Sequence, residues 1–105
     1  MKKEDIMKIL PKEGEILKKI DEANDKVLNR DTRHEGLEEL EELRGQDSAI
    51  PCIIGHAHEM EFYEGDRRDA SEAKKAIAEY ERAISQGGYE FLRKDIQRIK
   101  QDAGI

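Results

Sequence analysis

The sequence predicts an all-α domain of five or six antiparallel helices in stacked hairpins, with no sheet. Three observations carry this. Apolar residues recur at the 3.6-residue spacing of one-sided helices along most of the chain. No stretch alternates apolar and polar at period two over a useful length, as a half-buried strand must. Breaks containing Gly45, Gly65, Gly87 and Gly88 leave only a few residues between the periodic runs. Connections that short make neighbouring helices antiparallel.

Residues 3–10 carry Ile6, Met7, Ile9 and Leu10, a short first helix. Pro11 stops it or opens the next, since proline lacks an amide N–H but suits a first turn. Across residues 12–28, Ile16, Leu17, Ile20, Ala23, Val27 and Leu28 form one helical face. Thr32 and Glu35 have capping-box spacing, in which hydroxyl and carboxylate each accept a backbone N–H. The helix that follows points Leu37, Leu40 and Leu43 inward and Glu38, Glu39, Glu41 and Glu42 outward. Gly36 weakens its first turn and Gly45 ends it.

Asp47 or Ser48 is placed to cap a fourth helix, with Pro51 in its first turn. Its expected packing face is Ile50, Ile53, Ile54 and Ala57, continuing to Met60 or Glu61. Gly65 and Asp66 stop it, and Asp69 with Glu72 offers another cap. The fifth helix buries Ala73, Ala76, Ile77, Tyr80, Ala83 and Ile84. After Gly87 and Gly88, a sixth buries Tyr89, Leu92, Ile96, Ile99 and Ala103.

At 105 residues the chain is read as one all-helical domain, 1–105. It is 36% hydrophobic and 42% charged, which leaves enough apolar residues for one-sided helices but not for a thick core. The net charge of −6 and the lack of a clustered Lys/Arg stripe exclude nucleic acid and anionic membrane surfaces as expected partners. Cys52 is the single cysteine, so no internal disulfide forms and a reducing compartment fits. No apolar run has the length of a signal peptide or a membrane span. A soluble, cytoplasmic protein without cofactor is expected.

Leu37, Leu40 and Leu43 align with Ile77, Tyr80 and Ala83 at an offset of 40, and Ile16, Leu17, Ile20 and Ala23 with Ile53, Ile54, Ala57 and Met60 at 37. Offsets so close fit one hairpin unit used twice, about 12–44 and 49–85, with a capping helix at 89–103. Two unrelated amphipathic helices would also align at some offset. Ile54-Gly55, Gly65-Asp66 and the run Ala76, Tyr80, Ala83, Ile84 resemble the tetratricopeptide repeat. The resemblance implies a short solenoid in which Gly55 and Ala76 let two backbones cross closely and Tyr80 fills the space beside them. Gly55 and Ala76 stand 21 residues apart, so the helices or their loop must be extended.

Cys52, His56 and Glu59 fall at i, i+4 and i+7 and share one helix face, with Met60 beside them. The resemblance implies that this face lines a groove for an extended peptide or partner helix. The family's carboxylate clamp of Lys, Asn and Arg is replaced by Cys52, His56 and Glu59, so a basic or apolar partner is expected. Glu38 to Glu42, with Glu59, Glu61, Glu64 and Asp66, add an acidic patch. The expected class is a non-enzymatic protein–protein interaction or adaptor module. About three repeats normally make a stable solenoid, and this chain has at most two and a helix. The shortfall implies self-association or a partner over an apolar face. The rival reading is a small metal-binding or catalytic bundle, because thiolate, imidazole and carboxylate at Cys52, His56 and Glu59 suit zinc. It lacks a fourth ligand, a CxxC pair, an HExxH motif and a glycine-rich oxyanion turn.

Overall fold

The structure, a computed structural model, describes residues 14–66 and 68–105. The expected short helix at 3–10 and Pro11 lie outside the described residues. Those described form five helices and no strand: α1 (Glu15–Leu28), α2 (Arg33–Glu42), α3 (Ile50–Glu64), α4 (Ser71–Gly87) and α5 (Leu92–Ala103). The pairs α1–α2 and α3–α4 are hairpins, α3 also packs on α1 and α2, and α5 packs on α4.

The centre of the molecule is α3. Its expected packing face was one-sided, but the structure buries all of its first two turns, Ile50 to Ala57, and then Glu59 and Phe62. The cause is position: α3 has helices on more than one side, and a helix surrounded in this way must be apolar nearly all round. The other helices keep a single buried stripe. In α5 it is Leu92, Ile96 and Ile99, and in α1 it is Ile20, Ala23, Asn24 and Val27. One continuous core joins all five helices.

Glycine sets the close approach in both hairpins. A Cβ on Gly55 would lie 2.6 Å from Cδ1 of Tyr80 and 3.3 Å from the carbonyl oxygen of Ala76, so the close approach expected from the resemblance is present at this joint. A Cβ on Gly36 would lie 2.7 Å from the carbonyl oxygen of Ala23 and 2.9 Å from Val27. Gly36 therefore does more than weaken a turn: it lets α2 lie against α1. The length between Gly55 and Ala76 is taken up by helix. α3 and α4 run 15 and 17 residues, and the connection spans only residues 65–70.

Three caps differ from expectation. Thr32 is the residue before α2, but its hydroxyl makes no cap bond; it donates 2.8 Å back to the Lys26 carbonyl, while Glu35 pairs with Lys26 at 3.1 Å. A lysine at the end of α1 thus competes for the carboxylate that a capping box needs. Asp47 accepts the Ala49 N–H at 2.8 Å in the turn before α3, and Ser48 bonds the Tyr89 hydroxyl instead. Asp69 accepts the Ser71 N–H at 2.9 Å, but Glu72 turns away to His58. The last helix starts at Leu92, so Tyr89 sits in the connection, its ring filling the place a Gly87 side chain would take. Gly88 closes α4 in the left-handed region at φ 68°, where glycine carries no Cβ penalty.

Candidate functional site

Cys52, His56 and Glu59 do share one face of α3, as their spacing predicts, but that face is interior. They are 0%, 5% and 6% exposed. Glu59 is held by α4 and α5: the Tyr80 hydroxyl donates to Oε1 at 3.3 Å and Arg98 donates to the same oxygen at 2.6 Å. Arg98 also bonds Asp95 at 2.9 Å and stands 5.7 Å from the Tyr63 ring centroid, within cation–π range. Tyr63 donates at 2.6 Å to Asp102. Burial, then the nearby charges of Glu59, Cys52 and Asp95, hold the Tyr80 phenol well above its ordinary range. Burial and the bond to Asp102 push Tyr63 up to about 12.

This network is a clasp between α3, α4 and α5. A partner reading Glu59 directly would have to displace Arg98. Met60, half-buried, faces the first hairpin, where its sulfur accepts an Arg33 N–H at 3.7 Å. Among the described residues no three His, Cys, Asp or Glu side chains come together in a way that would hold a metal ion. Glu59 turns its oxygen to Tyr80 and Arg98.

The residue that sequence reasoning missed is Arg33. It is 1% exposed, yet it opens the helix with the largest share of charged residues among those described. Its Nε donates to the Val27 carbonyl at 2.7 Å, and its Nη atoms reach Glu61 at 2.7 Å and Glu64 at 2.5 Å. A planar guanidinium can serve three acceptors in one plane, so it ties the end of α1 to the end of α3. The bond from Arg33 holds the Glu64 carboxyl below its usual range. At the other end of α2, Arg44 pairs with Glu41 at 2.8 Å and Glu79 at 2.9 Å.

Beside Arg33 the hairpins part and leave an open cleft of about 680 Å³. α2 lines one wall with His34, Leu37, Glu38, Glu41 and Glu42. α3 contributes His58 and Glu61, and α4 contributes Glu72 and Lys75. Glu38, Glu41, Glu42, Glu61 and Glu72 face Arg30, Arg33 and Lys75, so the lining is acidic on balance. His58 Nδ1 stands 2.6 Å from Glu72. Burial pushes the Glu72 carboxyl up, but the bond with His58 outweighs it and the net shift is downward. Leu37 is the apolar side chain of the lining. The signal for this cleft was in the sequence as the Glu38 to Glu42 run, an acidic patch on the solvated side of a helix.

Among the described residues no helix is long and apolar enough to cross a membrane. The large hydrophobic side chains exposed there are Phe91 and Ile105, so the described surface carries no broad apolar face. No protein-family model, curated protein or solved structure matches the chain.

Proposed function

We propose that this chain is a protein–protein interaction module that receives a basic partner segment in the cleft between its two hairpins. The observation that carries the reading is the cleft itself: an open concavity lined by α2, α3 and α4, with five glutamates in its lining. Concave sites with a few converging polar groups are where binding concentrates. The acidic balance favours a positively charged partner and speeds its approach. Because the cleft is polar, its affinity rests on charge, and charge between exposed groups is screened as ionic strength rises. The Cys52, His56, Glu59 and Met60 face supports the cleft from behind. It fixes α3, the element from which His58 and Glu61 project.

A photo-reactive residue in place of Glu42, compared with one in place of the exposed Glu81 on α4, tests the reading in the native cell. A discrete partner captured from position 42 only, and lost at high salt, supports it. The same background capture from both positions overturns it.

A further inference from the structure

We propose that the cleft's occupant is an extended segment whose alternate residues are lysine or arginine, and not an amphipathic helix. This rests on the interaction reading above. The α2 wall of the cleft, from Arg33 to Glu42, is about 14 Å long at 1.5 Å per residue. An extended chain covers it in about four residues at 3.3 Å each. Glu38 and Glu42 stand one turn apart on the same α2 wall, and their side-chain bases are separated by about 6 Å. Alternate side chains on one face of an extended chain repeat at about 6.6 Å. Two basic side chains at positions i and i+2 therefore meet both glutamates without strain in either backbone.

A helical partner with basic residues four apart would match the same pitch. It would also have to bury an apolar stripe of three or four anchors, which is how helix-in-groove recognition gains its affinity. The lining offers Leu37 alone for that purpose. An extended segment needs no such stripe, and its backbone stays hydrated toward the open side. Glu38 and Glu42 are both exposed, and the contact of Glu38 with His34 at 3.0 Å is itself open to solvent, whereas Glu41 is engaged by Arg44, Glu61 by Arg33 and Glu72 by His58. The first two are therefore the residues that read the partner.

The test uses the full chain, ¹⁵N-labelled, titrated at low salt with three blocked peptides of equal charge. Each carries two lysines: two residues apart across a serine in the alternating peptide, adjacent in the contiguous one, and four apart in an alanine-rich helical third. The expected result is that the alternating peptide shifts amides of α2 and those around His58 and Lys75. It should bind about threefold more tightly than the contiguous peptide, the ratio expected for one exposed ion pair. Glu38→Gln and Glu42→Gln should each weaken it about threefold, and Glu81→Gln should leave it unchanged. Equal or tighter binding of the helical peptide at the same amides overturns the inference and leaves the cleft as an interaction site. Indifference to lysine spacing does the same. If none of the peptides shifts the cleft amides, the interaction reading falls with it.

Discussion

Arg33 and Glu64 face each other across the two hairpins with the guanidinium forked on the carboxylate, Nη1 at 2.5 Å and Nη2 at 3.3 Å. The pair is asymmetric. The arginine side chain is 2% exposed and the glutamate 41%. Removing the arginine lets Glu61 and Glu64 return to water but leaves the Val27 carbonyl and a cavity behind. Arg33→Met should cost about 2–3 kcal/mol in urea unfolding, below the full penalty of stranding a buried charge. The double change Glu61→Gln, Glu64→Gln strands the buried guanidinium and should cost about 3–5 kcal/mol, more than the sum of the single changes. Additive single effects would show that Arg33 is better hydrated than its burial implies.

The glycine joints give a second contrast. Alanine at either site gains about 1 kcal/mol of helix propensity, so any net loss measures steric cost. At Gly55 the obstacle is the Tyr80 ring; at Gly36 it is the Ala23 carbonyl, part of a neighbouring helix backbone. A ring can tilt and a packed backbone must shift as a unit. Both variants should lose stability, by about 1–3 kcal/mol, and Gly36→Ala should lose more. Thermal melts of the two single variants settle the order.

These two joints also show what the sequence carries and what it conceals. Gly55, Ala76 and Tyr80 belong to one hairpin, and it is the resemblance of their pattern to a repeat hairpin that puts them together. Gly36 sits in a run of charged residues with Leu37 its only apolar neighbour, and reads as a weak point in a helix. Arg33 hides for a stronger reason: its carboxylate partners are 28 and 31 residues away, and nothing local marks an arginine as buried. The face of Cys52, His56 and Glu59 was legible as a face. What covers it was not, because Arg98 lies 39 residues from Glu59. Polar spacing on a helix states which side chains travel together, and tertiary packing decides whether they meet water. The acidic run of α2 was legible for the opposite reason, since a charged helix face opposite a leucine stripe is solvated in nearly any packing.

Acid should loosen first the contact of Arg33 with Glu64, between the hairpins, and that of His58 with Glu72, within the second hairpin. Arg33 holds Glu64 below its ordinary value of 4.5, and the bond with His58 keeps Glu72 below the same value despite its burial. A carboxyl with a depressed folded-state pKa leaves the native chain with fewer bound protons than the unfolded one. Its contribution is therefore present above about pH 4.5 and lost as pH falls through the folded-state value. Stability measured by urea at stepped pH should be flat near neutrality and fall below pH 4.5. Glu64→Gln should lower the plateau and reduce that slope. A slope unchanged by the substitution would assign acid sensitivity to other carboxylates.

The clasp on α5 makes the last prediction. Glu59 is interior, its side chain 7% exposed, while Arg98 is 46% exposed. Removing the arginine takes from a buried carboxylate its 2.6 Å contact with a cation. Arg98→Met keeps the alkyl packing over Tyr63 and should still cost about 2–4 kcal/mol. Glu59→Gln removes the charge itself, leaves Arg98 free to rehydrate, and should cost less. Because the broken contact joins α5 to the rest, the loss should be local before it is global. Amide exchange at Ile96 and Ile99 should accelerate in Arg98→Met by more than at Ile53 and Ile54 in the centre of α3. Equal acceleration at all four would mean that α5 is one cooperative unit with the core, and that the Glu59–Arg98 contact stabilises the whole bundle instead of fastening its last helix.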